Sequence, residues 1–267
     1  MRPLLLSTVV VEEAAAHVAV VRLQRPHRAN ALDTQMGRDL LSAWAHVSAA
    51  VDDGDVRVVV LAAAGDGAFC GGADLKERDG MSDEAWAAQH AIFEDAIRAQ
   101  LSVAVPVVAA VSGHAYAGGL ELVLACDFAY GVPHARFAMT EVMIGILPGL
   151  GGTQLLPRVV GERRAKELIF TGAPFSAADA LAWGVLNRLC APDALWSTTL
   201  QTATTIAANA PLSVKTAKRV IHEGLQGDLA RGLAVELDGY RALVGTDDRR
   251  EGVRSFAERR RPVFRGR

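Results

Sequence analysis

Along much of the chain, an apolar strand, a glycine-rich loop and a helix follow one another several times. The runs 57–65 and 106–113 are continuously apolar, as expected of strands that are covered on both faces. Glycine-rich loops follow these runs at 65–75 and 114–119, and a third glycine-rich stretch occupies 148–154. The units share no sequence identity, but their order predicts an α/β core.

Other elements of the first third fit the same order. Residues 17–23 have the pattern of a strand, and residues 30–51 carry apolar side chains at helical spacing. Asp33 or Thr34 is the candidate N-cap of that helix. A second helix is predicted over 83–101, before the strand that leads to the second loop.

The pattern changes in the last third of the chain. From about residue 174 almost every segment has helical spacing, including the strongly charged stretch 246–264. We therefore predict a core over residues 1–200 and a C-terminal helical region over residues 201–267.

The composition is typical of a soluble globular enzyme. Of the 267 residues, 51% are hydrophobic and 22% are charged, which allows a sizeable core. The net charge of −2 gives no electrostatic basis for binding nucleic acid. No apolar run approaches the roughly 18 to 20 residues of a membrane span. Residues 1–13 have the character of a first strand rather than of a signal peptide.

The three cysteines indicate whether the protein works in a reducing or an oxidising compartment. Cys70, Cys126 and Cys190 form neither a metal-ligand spacing nor an even disulfide set. We expect them to be small core or loop residues, with no metal site and a reducing, cytoplasmic location.

Glycine-rich loops after strands raise the question of nucleotide binding. The first loop begins as G-x-G but lacks the third glycine of the dinucleotide fingerprint, and the motif G-x-x-x-x-G-K-[ST] is absent. The motifs G-x-S-x-G and H-E-x-x-H are absent as well. The sequence therefore argues against these nucleotide enzymes, serine hydrolases and metalloproteases.

The glycines have two other uses. Segments 71–73 and 117–119 have little side-chain bulk above their backbone N–H groups. Two such N–H groups that converge on one point form an oxyanion hole, which holds a carbonyl oxygen as negative charge develops. The commoner use of glycine is a tight turn that needs a positive φ. The composition of the loops leaves both interpretations open.

Two glutamates stand beside these loops. Glu121 falls at the predicted start of a helix, and Glu141 ends the predicted strand 136–142. Taken singly, Glu121 is typical of a carboxylate that offsets a helix dipole, and Glu141 of a solvated strand end. Taken together, they suit a base and an acid for the addition of water. His114 is a further candidate base, although histidine commonly has a structural role.

Three stretches resemble the signatures of the crotonase (enoyl-CoA hydratase/isomerase) superfamily. They are FCGGADLKE at 69–77, AYAGGLEL at 115–122 and EVMIGILPGLGGTQ at 141–154. Shorter matches extend the resemblance over nearly the whole chain, at 25–26, 30–32, 171–172, 183–185 and 246–260. Ala117 departs from the pattern, because many members have glycine there. Residues 78–86 correspond to the variable acyl-pocket region of the family.

The resemblance implies a spiral of repeated ββα units followed by helices that help to form trimers and hexamers. It implies an acyl-CoA thioester as substrate, with no cofactor beyond the CoA that the substrate carries. The N–H groups of Ala73 and Gly118 match the oxyanion hole of the family. Glu121 and Glu141 match the two acid/base positions of its hydratases, which reversibly add water to a trans-2-enoyl-CoA.

The resemblance also implies residues that bind CoA. They are Arg28, Ala29, Ala73, Asp74, Leu75, Lys76 and Gly118 in the core, and Tyr240, Phe256 and Arg259 near the C-terminus. The last three match positions from which a neighbouring subunit reaches the CoA. Arg259 can pair with phosphate, although a basic helix end is commonly just solvated.

Other functions of the same fold stay open at this point. They are an enoyl-CoA isomerase, a branched-chain hydratase, a carbon–carbon lyase and a catalytically silent acyl-CoA-binding protein. The presence of both glutamates favours the hydratase.

Overall fold

The computed structural model describes residues 1–65 and 67–267; Asp66, inside the first glycine-rich loop, lies outside the described residues. The described strands are β1 Leu4–Leu5, β2 Val9–Ala15, β3 Val18–Leu23, β4 Val58–Ala63, β5 Ala68–Cys70, β6 Val107–Val111, β7 His114–Tyr116, β8 Phe128–Gly131, β9 Arg136–Ala138, β10 Phe175–Ser176 and β11 Arg188–Leu189. The described α-helices are α1 Thr34–Asp52, α2 Leu75–Arg78, α3 Asp83–Leu101, α4 Gly118–Leu124, α5 Gly152–Val160, α6 Glu162–Thr171, α7 Ala177–Ala182, α8 Leu195–Ala207, α9 Pro211–Gly224, α10 Leu229–Val244 and α11 Asp247–Ala257.

The strands form two sheets, and each repeating unit contributes one strand to each sheet. The larger sheet has the order β1-β2-β3-β4-β6-β8-β11, and the smaller one has the order β10-β9-β7-β5. Strands β4, β6 and β8 are parallel neighbours in the larger sheet. The strand that follows each of them, β5, β7 or β9, lies in the smaller sheet and also pairs in parallel. Helices follow each pair, which confirms the predicted spiral of ββα units.

The long helices form where the sequence predicts them. The Asp33 side chain accepts a hydrogen bond from the Met36 N–H at 2.7 Å, so Asp33 is the N-cap of α1. Helix α1 buries Met36, Leu40 and Trp44, which lie on one face at a spacing of four residues. Helix α3 spans Asp83–Leu101, as predicted, and Ser82 caps it.

The glycine-rich segments contain short strands where the sequence pattern predicts only loops. Strand β5 lies within 65–75, and β7 begins at His114. Strand β9 ends at Ala138, so Glu141 begins a 3-10 turn, Glu141–Ile144, rather than ending a strand. Three residues are too few to show an alternating pattern, and their pairing is decided by the neighbouring units.

The C-terminal part contains helices that reach the core. Helix α8 packs against β4 and β6 of the larger sheet. Lys218 of α9 lies 2.8 Å from the Asp127 carboxylate and donates to the Val105 carbonyl. The predicted boundary after residue 200 falls inside α8, and the division into two regions stays a prediction. Among the described residues no helix is both long and apolar enough to cross a membrane.

The first two glycine-rich loops approach each other too closely for side chains. A Cβ atom at Gly119 would lie 2.2 Å from the Cys70 carbonyl oxygen, and one at Gly72 would lie 2.8 Å from the Ala117 Cβ. Glycine at these positions therefore lets α4 begin directly against the end of β5.

Replacement of Gly119 by alanine tests this close approach. We expect Gly119→Ala to lower the free energy of unfolding by about 3 kcal/mol, because the new methyl group meets backbone that cannot give way. Gly245→Ala is the matched control, since a Cβ atom there would have no atom within 4 Å and the φ of Gly245 is −80°. Denaturant unfolding at one protein concentration measures both; equal stability of the two variants would contradict the expectation.

Candidate active site

Two residues from separate units, Ala73 and Gly118, have backbone N–H groups without a partner in the described part of the chain. Hydrogen bonds run from the Leu32 N–H to the Gly72 carbonyl (2.8 Å) and from the Asp74 N–H to the Leu32 carbonyl (2.9 Å), on either side of Ala73. Gly118 is the first residue of α4, so its N–H has no partner within the helix. Neither the Ala73 N–H nor the Gly118 N–H donates to a carbonyl or side chain of the described residues. Both residues line one cavity.

Ala117 holds the second loop in an unusual backbone conformation. Its φ of 50° and ψ of −125° lie in a region that residues with a Cβ rarely adopt. Its N–H donates to the Ala138 carbonyl at 2.8 Å, and its carbonyl accepts from the Leu120 and Glu121 N–H groups. These bonds tie the loop to β9 and to α4, so the surrounding structure maintains the strain.

The Glu121 carboxylate is buried in the first turn of α4, with the residue 1% exposed. Its Oε1 accepts hydrogen bonds from the Leu150 N–H at 2.8 Å and from the Gly152 N–H at 2.7 Å. The pKa of Glu121 is raised to about 7: burial raises it most and the Glu141 charge adds to the rise, while the two N–H donors oppose it. This carboxyl group can therefore exchange a proton near neutral pH.

Glu141 is held differently. It starts the 3-10 turn Glu141–Ile144 and is 7% exposed. Neither of its carboxylate oxygens has a hydrogen-bond partner among the described residues. Burial raises the pKa of Glu141, which favours the protonated form.

One cavity of about 270 Å³ is lined by both glutamates, Ala73 and Gly118. The other lining side chains are mostly apolar. They include Leu32, Leu75, Phe93, Met143, Ile144, Ile146, Leu147 and Leu150. The cavity thus combines two acids and two N–H groups with walls that suit an apolar chain.

A second depression adjoins this cavity. It shares Ala73 and Leu75 with the cavity, and its remaining lining residues are His27, Arg28, Ala29, Ala31, Asp74 and Lys76. All of the core residues that are predicted from the sequence to bind CoA therefore line the cavity or this groove.

Three predicted residues lie elsewhere in the single chain. Tyr240, Phe256 and Arg259 line neither the cavity nor the groove, and Tyr240 and Phe256 are 67% and 88% exposed. Their contact with CoA bound to a neighbouring subunit stays a prediction.

His114 has a structural environment. Its Nδ1 accepts a hydrogen bond from the Arg136 N–H at 3.0 Å, and its ring stacks on Tyr116. It does not belong to the cavity lining. The geometry therefore gives His114 no position from which to act as a base there.

Two basic residues of the cavity wall, Arg78 and His90, are not among those predicted from the sequence. Arg78 ends α2 and His90 lies in the middle of α3. Sequence gives no signal for Arg78, which is the one buried residue of the four-residue helix α2, and a single sequence does not show which face of α3 meets the cavity.

Comparison with known proteins identifies the family of the chain. The family model described as "Enoyl-CoA hydratase/isomerase" matches residues 13–267. The putative enoyl-CoA hydratase/isomerase YngF of Bacillus subtilis (strain 168) is 39% identical over 250 residues, which cover 94% of this chain and 95% of that protein. The (E)-benzylidenesuccinyl-CoA hydratase of Thauera aromatica is 38% identical over 257 residues, covering 96% and 99%.

A solved structure matches as well. The enoyl-CoA hydratase from Bacillus anthracis, a crystal structure at 1.8 Å resolution, has a TM-score of 0.94 and 38% identity to this chain, covering 98% of this chain and 100% of that one. The agreement in sequence and in fold extends over almost the whole length. The chain therefore belongs to the enoyl-CoA hydratase/isomerase family, the crotonase superfamily.

Proposed function

We propose that this protein reversibly adds water to a trans-2-enoyl-CoA and forms a 3-hydroxyacyl-CoA. The observation that carries the proposal is that Glu121, Glu141 and the N–H groups of Ala73 and Gly118 meet in one apolar cavity. No cofactor beyond the CoA of the substrate takes part. The groove that adjoins the cavity holds the CoA, with contacts from Arg28, Ala29, Asp74 and Lys76.

The oxyanion hole activates the thioester. Its carbonyl oxygen accepts hydrogen bonds from the Ala73 and Gly118 N–H groups, which draw electron density from the conjugated double bond. Glu121 takes a proton from a bound water, and the hydroxyl group forms a bond to Cβ. The π electrons move to the thioester oxygen and give an enolate, which the two N–H groups stabilise.

Protonation of the enolate completes the addition. Glu141 gives its proton to Cα, and the carbonyl double bond forms again. Glu121 has then gained one proton and Glu141 has lost one, so transfer of a proton between them restores the starting state.

The geometry supports this division of roles. The N–H groups of Leu150 and Gly152 stabilise the anion of Glu121, as a base requires. Glu141 has no such donors, so burial favours its protonated form, as an acid requires. The cavity also suits the isomerases and lyases of the family, in which a carboxylate moves a proton without adding water.

We also propose that the protein forms trimers or hexamers. Helix α10 carries an apolar stripe of exposed side chains at helical spacing. Its members, 45–78% exposed, are Leu229, Leu233, Leu237, Tyr240 and Val244. An exposed apolar stripe of this length is typical of an interface between subunits. Burial of this stripe between subunits would place Tyr240 against another subunit. The cytoplasmic location stays a prediction.

Isosteric replacement tests the two glutamates. We expect Glu121→Gln and Glu141→Gln each to lower kcat for hydration of crotonyl-CoA by about 10²- to 10⁴-fold, because each removes a proton-transfer group. The measurement is loss of the enoyl-thioester absorbance, with mass spectrometry to separate hydration from isomerisation. Glu167→Gln, an exposed residue of α6, is the control and keeps full activity. Unchanged turnover in either active-site variant would contradict the mechanism.

The Glu121→Gln variant is expected to remain folded. A raised pKa means that ionisation of Glu121 costs stability as the pH rises from about 4.5 to about 7. At pH 8 we therefore expect Glu121→Gln to melt no lower than the wild type, by thermal unfolding at one protein concentration. A much lower melting temperature would show that the anion is needed for folding.

The pH dependence of kcat/KM follows from the state of Glu121. The base must be ionised, so kcat/KM for crotonyl-CoA falls as the pH drops through about 7. Absence of this limb from the pH profile would show that Glu121 is not the titrating base.

The mass in solution tests the assembly. We expect three or six times the chain mass of 28.3 kDa by sedimentation or mass photometry. The double variant Leu233→Lys, Leu237→Lys dissociates, because it places two charges in the apolar stripe. Leu5→Lys, at a more exposed leucine of β1, keeps the wild-type mass. A monomeric wild type would refute the proposal.

A further inference from the structure

Arg78 is a buried basic residue in the wall of the acyl cavity. It is 7% exposed, at the end of α2, and lines the same cavity as Glu121 and Glu141. Its place is unusual because the cavity walls are otherwise mostly apolar, and burial of a charged group is costly without a partner.

The guanidinium group is held rigidly. Its Nε donates to Gln89 Oε1 at 2.8 Å, and its Cζ lies 4.1 Å from the centre of the Trp86 ring. Gln89 is itself fixed, because its Nε2 donates to Thr34 Oγ1 at 2.8 Å and to Glu77 Oε2 at 2.9 Å. This arrangement orients the group in advance of any ligand.

The charge of Arg78 has no direct acidic partner. Within the described part of the chain, no carboxylate lies within 4.0 Å of its nitrogen atoms. Neither Nη1 nor Nη2 donates a hydrogen bond to a described group, although Nε does. Burial lowers the pKa of Arg78 and the nearby Glu77 raises it, but the guanidinium stays charged. Two nitrogen atoms therefore remain to bind an anion.

The place of Arg78 favours the acyl end of the substrate over CoA. Arg78 lines the cavity with Glu121 and Glu141 and, beside Lys76 and Trp86, an outer depression, but it does not line the groove that holds Arg28 and Ala29. The other basic residue of the cavity, His90, already lies 3.5 Å from Glu94. Arg78 is therefore the cavity residue that can neutralise an acidic ligand.

We propose that Arg78 binds a carboxylate on the acyl chain, so that the preferred substrates are enoyl-CoA thioesters with a second, free carboxyl group. This inference rests on the proposed hydration of enoyl-CoA and names its substrate class. An Arg fork binds a carboxylate in a bidentate manner. It also offsets the repulsion that such a group meets from the Glu121 carboxylate in the same cavity.

Two five-carbon substrates test the proposal. Glutaconyl-CoA ends in a carboxylate, and trans-2-pentenoyl-CoA ends in a methyl group. We expect the wild type to have a kcat/KM at least about tenfold higher for glutaconyl-CoA. Arg78→Gln lowers this ratio by about 10- to 100-fold, because it removes charge-assisted hydrogen bonds. Arg78→Lys keeps the charge but not the fork, and gives an intermediate ratio.

Arg163→Gln is the matched control for charge. Arg163 is exposed on α6 and lines neither the cavity nor the groove, so its replacement leaves the ratio unchanged. If Arg78→Gln lowers kcat/KM equally for both substrates, Arg78 supports the wall and does not recognise a carboxylate. A wild-type preference for trans-2-pentenoyl-CoA would also overturn the proposal.

The affinity of the wild-type protein for two unreactive acyl-CoA ligands tests the inference without turnover and without variants. Calorimetry with glutaryl-CoA and pentanoyl-CoA, which lack the double bond, gives two dissociation constants. We expect glutaryl-CoA to bind at least about tenfold more tightly, and equal constants would overturn the proposal. Failure of all enoyl substrates to react would refute the hydration itself, while the binding ratio would still test the role of Arg78.

Discussion

The buried carboxylate of Glu121 is the interaction on which the active-site region depends. Gly152 is the first residue of α5, so its N–H is one of the donors that a helix start leaves without a partner. Glu121 accepts that donor together with the Leu150 N–H, and thus caps a helix of the next unit. A Cβ atom at Gly152 would lie 2.9 Å from Glu121 Oε1, which explains the glycine. One carboxylate therefore joins two units and lines the cavity.

Several costs in local stability are concentrated around this carboxylate. Burial raises the pKa values of Glu121 and Glu141, and Ala117 has a strained backbone conformation. Each cost is tolerated because close packing leaves little alternative: the first two loops meet at glycines, and β9 holds Ala117 through its N–H. Carboxyl groups whose pKa values are raised in this way can gain or lose a proton closer to neutral pH than solvated carboxyl groups do. Because the surrounding groups are already in place, little reorganisation is needed during a reaction.

The site has two parts with different chemistry. The groove is more open and carries the charged side chains of Arg28, Asp74 and Lys76, whereas the cavity is mostly apolar apart from its acids and its two basic residues. Ala73 belongs to both parts. Under the proposed function, a thioester oxygen at its N–H would lie where the two parts meet, and selection among acyl groups would fall to the cavity wall, where Arg78 lies.

Sequence by itself determined the α/β class, the choice of Asp33 or Thr34 as the cap of α1, the limits of α3 and the glutamates beside the loops, because these follow from local patterns and nearby residues. The family motifs added the spiral, which local patterns do not contain. Only the tertiary structure decided that Leu150 and Gly152 hold Glu121, that His114 faces Arg136, and that Arg78 enters the cavity. The sequence pattern also did not predict strands β5 and β7. In each case the partners come from different units, so strand pairing and helix packing set their distances, and spacing along the chain does not.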